Sequence, residues 1–392
     1  MNKNLTKRNE WLCFVTFLVT ASLHPLLKAE ERQGLVINTG LLFKNDSNIT
    51  RTAEKIPDKK RMFSPQLQFL SNLDQHKLLI NYQGDFAGFS DRSQYNYNSH
   101  DIKVQTILDH SYRLNSEFTF GYEDQVEEPG INDAQILVEN EFNTFKRKTA
   151  QGKLYYGTDA STGQFIVGVE QAQTRYTNNM QSFRDLDLNK LTGTFFYRVA
   201  PKTRILIEAS SAQFDYTENA LISLPNSDEK LYLTGVEWKA TAITSGTFKI
   251  GYQERDFAGA QFSDLDGLSY FLDMLWQPNA YTNIKIGAQR ASSESAQQGI
   301  GGFISKGYSF NLEHSLSRRI NLTIAYQSDE ADFKNIQDRT DRRKNIILGI
   351  TNSLRSWLEI SINYRHIARS SREQIFTFSS DSVELSLKTK FD

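Results

Sequence analysis

The chain has 392 residues, a formal net charge of −1 and 23% charged residues. That near-neutral balance argues against a nucleic-acid partner, because nucleic-acid recognition needs a clustered basic surface. Aromatic residues are the unusual feature, with 26 Phe, 17 Tyr and 4 Trp against only 7 Pro and 4 Met. Such a composition is typical of outer-membrane β-barrels, whose strands carry aromatic girdles at both membrane interfaces.

The N-terminal residues predict a cleaved signal peptide over 1–29, followed by one barrel domain over 30–392. Three basic residues precede an apolar run at 11–21, and Ala29 offers a cleavage site. The apolar run is about half of the ~20 residues that a membrane-spanning helix needs, which disfavours the alternative of an N-terminal anchor. Cys13, the only cysteine, lies in the removed segment, so we expect no disulfide and no thiol nucleophile.

Hydrophobic and polar residues alternate with period two in segments of about 10 residues, the pattern of barrel strands. In the clearest example, Leu358, Ile360 and Ile362 share one face, and Glu359 and Ser361 share the other. The alternation predicts an all-β fold, a transmembrane antiparallel up-and-down β-barrel of about 18 strands around a polar lumen. The strands are expected near 34–42, 62–71, 76–88, 97–109, 112–122, 150–158, 164–175, 187–199, 203–214, 230–240, 246–255, 267–277, 281–291, 303–314, 319–328, 342–352, 356–368 and 381–391.

Soluble β-sandwiches show the same local alternation, so the lengths of the connections decide between the two folds. Tight connections at 72–75, 200–202, 278–280 and 315–318 alternate with long polar ones at 43–61, 123–149, 215–229, 291–302 and 369–380. Strict alternation of short and long connections indicates a meander with short periplasmic turns, long external loops and both termini in the periplasm. The longest loop, 123–149, is acidic at first and then apolar, so we expect it to fold inward or over the mouth.

Catalytic and metal-binding patterns are not evident in the sequence. The five histidines outside the signal peptide, at 76, 100, 110, 314 and 366, lack the paired spacing of a metal motif. The acidic segments 123–133 and 328–332 lack the ordered oxygen spacing of a calcium loop and are interpreted as solvated loop charge. We therefore expect no enzyme, no cofactor and no metal.

Charged and amide side chains on the water-facing side of the alternation are the candidate functional residues, because they would set the field felt by a permeating solute. Both signs are interspersed, so weak ionic selectivity is expected. The lumen-lining candidates are Gln83, Lys190, Arg198, Glu237, Lys249, Gln253, Asp273, Lys285, Gln289, Asn311, Glu313, Glu359, Asn363 and Arg365.

One stretch, GTFKIGYQERDF followed by DGLSYFLDMLWQPNAYTNIKIGAQRASSES over 246–295, resembles a family of outer-membrane β-barrels found with exopolysaccharide and capsule biosynthesis systems. Segments PQLQF, LLINYQGDFAGFSD, RRKNIILGI and SWLEISINYRHIARSS agree with it. The resemblance covers roughly 34–391 and implies a barrel of the porin type that helps polysaccharide cross the outer membrane. It implies no catalytic residue and no cofactor.

Two functions follow as hypotheses. The first is export of exopolysaccharide or capsular polysaccharide across the outer membrane of a Gram-negative bacterium. Its partners would be the polysaccharide and periplasmic export components. The second is a general diffusion porin for small hydrophilic solutes, which predicts the same lumen with an inserted constriction loop. In both cases we expect contacts with outer-membrane lipid and lipopolysaccharide, and with the outer-membrane assembly machinery.

Overall fold

The computed structural model describes residues 33–130, 141–217, 224–239, 243–334 and 339–391. Within these ranges the chain forms eighteen β-strands and three short 3-10 turns. No helix in the described part of the chain has the length and hydrophobicity needed to span a membrane. The expected signal peptide, 1–29, lies outside the described residues, so its cleavage stays a prediction.

The strands are β1 (Gly34–Asp46), β2 (Asp58–Leu73), β3 (His76–Phe89), β4 (Tyr97–Asp109), β5 (Leu114–Glu127), β6 (Asn143–Tyr156), β7 (Gly163–Tyr176), β8 (Leu186–Ala200), β9 (Thr203–Tyr216), β10 (Ser227–Trp238), β11 (Thr244–Phe257), β12 (Gly267–Asn279), β13 (Thr282–Glu294), β14 (Gly302–Ser315), β15 (Ile320–Phe333), β16 (Arg339–Arg355), β17 (Leu358–Ser370) and β18 (Phe378–Phe391).

Every strand pairs antiparallel with its neighbours in sequence, and β1 also pairs with β18. The last pairing runs from Ile37 opposite Phe391 to Asp46 opposite Ser382. The sheet therefore closes into an eighteen-stranded barrel, which satisfies the backbone hydrogen bonds that an open edge would leave exposed to lipid. This confirms the fold class expected from the sequence.

Strand lengths range from 12 residues in β10 to 17 residues in β16. A membrane-spanning strand needs only about 9–11 residues. The wall therefore continues for several residues beyond the apolar part of the bilayer.

The two ends of the barrel differ. At one end, here called the turn end, eight connections join strands, and the first residue of β1, Gly34, and the last residue of β18, Phe391, lie there as well. At the other end, the loop end, nine connections occupy 47–57, 90–96, 128–142, 177–185, 217–226, 258–266, 295–301, 334–338 and 371–377. The alternation of lengths is less strict than expected, because the turn at 157–162 is longer than the loop at 334–338.

The expected loop over 123–149 is shorter in the structure. β5 continues through Glu127 and β6 begins at Asn143, so the connection is only 128–142. The extra paired residues carry charges on both faces. Lys146 Nζ lies 3.6 Å from Asp124 Oδ2 on one face, and Glu123 lies opposite Arg147 on the other. Hydropathy alternation disappears where the wall leaves the bilayer, although the strand pairing continues.

Residues directly opposite each other on paired strands point to the same side of the sheet. The pairing registers therefore assign every strand residue to either the outward or the inward face of the barrel. The outward face bears exposed apolar side chains such as Leu41, Phe63, Phe118, Ile207 and Leu385. The inward face is polar along most of its area. It becomes apolar near the loop end of β7, β8 and β9, where eight buried residues pack together: Ala172, Phe183, Leu186, Leu188, Ala212, Phe214, Tyr216 and Leu224.

Candidate functional site

All fourteen lumen-lining candidates lie on strands and share the inward face set by the registers. For example, Gln83 lies opposite Gln66 on β2, and Glu359 lies opposite Lys388 on β18. Whether each side chain contacts a permeating solute stays a prediction.

Two candidates form close ion pairs on the wall. Glu237 Oε1 lies 2.5 Å from Arg204 Nη2, and Lys249 Nζ lies 2.8 Å from Glu208 Oε2. The other candidates are distributed around the barrel rather than gathered at one point. Such a wall offers many separate polar contacts along the lumen.

The start of the third loop (128–142), Glu128 to Gly130, extends into the mouth of the lumen. Its first residue, Glu128, places Oε1 3.6 Å from Lys60 Nζ on β2. Attraction to Lys60, supported by Lys44, Arg365 and Arg51, lowers the pKa of Glu128 to about 2 despite partial desolvation. The carboxylate is therefore charged at neutral pH and holds the loop to a basic part of the wall.

A second anchor lies two residues further along. Arg343 Nη1 on β16 donates a hydrogen bond of 3.4 Å to the Gly130 carbonyl oxygen. Gly130 has a φ of 78°, and a Cβ there would lie 2.6 Å from Cζ of Phe378 on β18. Only glycine fits this combination of left-handed backbone and close approach. The loop thus leaves β5 and reaches β16 and β18, which are separated from β5 by several strands along the wall.

Apolar packing holds the other end of the third loop. Phe142 is buried together with Ile49 of the first loop and Tyr95 of the second. The ring centroids of Phe142 and Tyr95 are 4.8 Å apart, and Phe89 packs edge-on at 5.7 Å. Three consecutive loops therefore form one packed unit at the mouth.

Charged contacts continue below this unit. Lys44 Nζ lies 3.2 Å from Asp46 Oδ2 and 3.3 Å from Glu384 Oε1 on β18. Arg51 donates two hydrogen bonds of 2.8 Å to the Asp46 carboxylate. A cavity beside the third loop is lined by Lys44, Asp46, Arg51, Lys60, Tyr97 and Glu128.

Buried arginines stack on aromatic rings elsewhere on the inward face. The Arg255 guanidinium lies 3.9 Å from the ring centre of Phe214, and that of Arg339 lies 3.6 Å from Phe376 in the ninth loop. Arg339 also pairs with Asp341 at 2.5 Å and donates to Gln297 Oε1 in the seventh loop at 3.1 Å. Stacking on rings and pairing with carboxylates let these cations stay buried and charged.

No group of three or more residues suited to hold a metal ion occurs in the described ranges. His366 points outward and places Nδ1 2.8 Å from Asp381 Oδ1, while His100 packs on Tyr82 and Phe86 on the same outer surface. The acidic segment 328–332 was wrongly interpreted as loop charge. It lies in β15, where Glu330 and Asp329 pair with basic residues of neighbouring strands.

The sequence did not identify the anchors of the third loop. Lys44, Lys60, Gly130 and Arg343 lie on four separate segments, and nothing in the local alternation marks which loop they would meet. The acidic start of the loop was the available signal, since Glu128 is the residue that the basic wall holds.

Comparison with protein families gives a match over residues 39–391 to the family described as "Putative beta-barrel porin 2". No curated protein sequence is similar enough to this chain to be matched. Among solved structures, Pseudomonas aeruginosa OccK2 (OpdF) aligns with a TM-score of 0.52 and 8% identity, covering 91% of this chain and 97% of that one.

Two further solved structures are also similar. Acinetobacter baumannii OccAB4 aligns with a TM-score of 0.49 and 9% identity, covering 92% of this chain and 99% of that one. Pseudomonas aeruginosa OccK1 (OpdK) aligns with a TM-score of 0.49 and 10% identity, covering 91% and 98%. The closed barrel and the family match over almost its whole length lead to one conclusion: the chain belongs to the "Putative beta-barrel porin 2" family and is a porin-type β-barrel of the Gram-negative outer membrane.

Proposed function

We propose that this protein is a diffusion porin for small hydrophilic solutes. The observation that carries the proposal is the third loop, which is anchored through Glu128 to Lys60 and through Gly130 to Arg343 and Phe378. An eighteen-stranded barrel is wide enough for an aqueous channel. Residues 128–130 extend from β5 towards β16 and β18 and narrow the mouth of that channel, so we expect the anchored loop to limit the size of the solute that passes.

The chemistry of the wall supports passage of small polar molecules. Ion pairs such as Glu237 with Arg204 and Lys249 with Glu208 place opposite charges side by side. Adjacent opposite charges cancel at a distance, so the field along the lumen is weak and the channel is expected to discriminate little between anions and cations.

Export of exopolysaccharide or capsular polysaccharide is the other hypothesis. Its support is the resemblance of the sequence to barrels of polysaccharide systems. The anchored third loop counts against it, because a long hydrated polymer needs a continuous wide passage. We therefore place export second, with polysaccharide and periplasmic export components as the partners that it would require.

Reconstitution tests the proposal. The purified full chain in liposomes should admit monosaccharides and disaccharides rapidly, and larger oligosaccharides progressively more slowly. In planar bilayers it should give stable single-channel conductance steps. Vesicles that admit no small sugars, or equal entry of small sugars and long glucans, would contradict a loop-limited diffusion channel.

A further inference from the structure

The outward face of β13 to β16 carries a row of basic residues at the loop end. Arg290 on β13 lies directly opposite Lys306 on β14, which lies opposite Glu330 on β15, which lies opposite Arg342 on β16. Lys344 follows two residues after Arg342 on the same face. We call Arg290, Lys306, Arg342 and Lys344 the outer basic face.

Glu330, the carboxylate within this row, holds two of the basic side chains in place. Glu330 places Oε1 2.9 Å from Lys306 Nζ and Oε2 2.9 Å from Arg342 Nε. Arg342 nevertheless stays 64% exposed, and Lys344 is also exposed. Asp332 and Asp266 are the other acids beside this face, and Lys334, 3.9 Å from Asp266, adds a fifth base, so five basic residues face three acidic ones. The surface is therefore positive and partly preorganised.

Neighbouring tyrosines indicate how deep the outer basic face lies in the membrane. Tyr308 lies two residues from Lys306 on the same side of β14 and is 51% exposed, and Tyr326 on β15 is 39% exposed. Two residues correspond to ~7 Å along a strand. Tyrosine girdles mark the boundary of the hydrocarbon region. The basic side chains therefore lie just beyond that boundary, where lipid headgroups begin.

The outward surface of β9 to β11 at the same end is different. It carries Asp215, Asp228, Glu254 and Asp256 beside Lys230. The outward surface at the loop end is therefore uneven in charge, being basic on β13 to β16 and mostly acidic on β9 to β11.

Long loops of outer-membrane barrels face outside, so the loop end lies in the outer leaflet. We propose that the outer basic face is a binding site for the phosphate groups of the outer-leaflet glycolipid, lipopolysaccharide. Guanidinium and ammonium groups are suited to phosphate oxygens, and clustered basic residues at a membrane surface bind anionic headgroups. Each acyl chain would continue down the apolar surface below Tyr308 and Tyr326.

Binding of lipid A to the full-length protein in detergent micelles, measured by native mass spectrometry, tests the site. The variant Arg342→Gln/Lys344→Gln removes two of its four charges without touching the lumen. It should bind bisphosphorylated lipid A at least about tenfold more weakly, since each basic residue near an anionic surface contributes roughly fivefold. The matched control Lys146→Gln/Lys148→Gln removes two exposed outward lysines on β6. In that sector Asp124 Oδ2 lies 3.6 Å from Lys146 Nζ and Asp187 pairs with Arg175 of β7, so acids already offset the positive charge and binding should change less than twofold.

Further arms of the experiment separate the sources of phosphate. Dephosphorylated lipid A should bind the unchanged protein as weakly as the double variant binds the phosphorylated form. Inorganic phosphate at millimolar concentration should not displace the lipid. Equal weakening in both variants, or displacement by inorganic phosphate, would overturn a lipid site. An oligomer that dissociates in Arg342→Gln/Lys344→Gln while lipid binding is unchanged would assign the face to a second copy of the chain instead.

Discussion

The two faces of one strand show how differently the inside and outside of this barrel are determined. On β17, Ile360 points to lipid, and its neighbour Ser361 points to the lumen, where its hydroxyl lies 2.5 Å from that of Ser386 on β18. The outer face needs little more than apolar side chains of any shape, because lipid is fluid and adapts to them. The inner face depends on particular partners, many of them far away in sequence.

The largest loss of stability is expected when a buried ion pair on the inner face is broken. Arg339 and Asp341 are 2% and 5% exposed and lie 2.5 Å apart. Arg339→Met should cost about 3–5 kcal/mol of unfolding free energy, because it leaves the carboxylate buried without its cation. Urea unfolding in detergent, followed by tryptophan fluorescence, measures the loss.

The double variant Arg339→Met/Asp341→Leu is the control for that measurement. It removes the orphaned charge and should recover most of the stability. If the single and double variants are equally unstable, the loss does not come from the orphaned Asp341 carboxylate.

A somewhat smaller loss of stability is expected from a charge placed on the lipid-facing side of β17. Ile360→Arg puts a guanidinium into lipid near the middle of the strand and should cost about 2–4 kcal/mol. Ser361→Arg, one residue further, adds the same side chain to the wet lumen and should fold normally. Heat-modifiability gels compare the two, and equal tolerance of both substitutions would refute the assigned register.

Gly130 is expected to fix the position of the third loop. Gly130→Ala combines a strained φ with a clash against Phe378, so the third loop should leave its anchor and the single-channel conductance should rise. Gly299→Ala is the matched control, since Gly299 has a similar φ of 75° but nothing within 4 Å of a Cβ. Conductance that rises equally in both variants would point to general loop disruption rather than release of one anchor.

The smallest expected effect concerns the pH dependence of the channel conductance. The pKa of Glu128 falls from an ordinary value of about 4.5 to about 2. Its charge therefore stabilises the docked loop fully above pH 4.5, and this stabilisation is lost only as pH falls through about 2. Glu128→Gln should raise conductance, and the ratio of its conductance to that of the unchanged protein should stay constant from pH 7 to pH 4. A ratio that falls to one between pH 5 and pH 4 would contradict the assigned anchor.

The sequence was sufficient for the outer face and for the number of strands, because period-two alternation is a local signal. Residues such as Leu358, Ile360 and Ile362 identify their strand and its orientation without knowledge of any partner. The same alternation placed all fourteen lumen candidates on the inward face. It failed at the upper wall around Glu127 and Asn143, where both faces of the strands are polar.

The contacts at the mouth could not be predicted from the sequence. Gly130 meets Arg343 more than two hundred residues away, and the partners become neighbours only once β1 pairs with β18 and closes the barrel. Arg365, expected simply to line the lumen, contributes to the charge that holds Glu128. Such contacts depend on the diameter of the barrel and on the path of the third loop, neither of which is encoded locally.

The most direct test of the central claim compares two phenotypes of one deletion strain. If the protein is a diffusion porin limited by its third loop, loss of the gene should slow uptake of small hydrophilic solutes and leave surface polysaccharide unchanged. Complementation with Gly130→Ala should admit larger solutes than complementation with the unchanged gene. Reduced surface polysaccharide with normal solute uptake, while lipid-linked repeat units continue to be made, would contradict the account and support polysaccharide export.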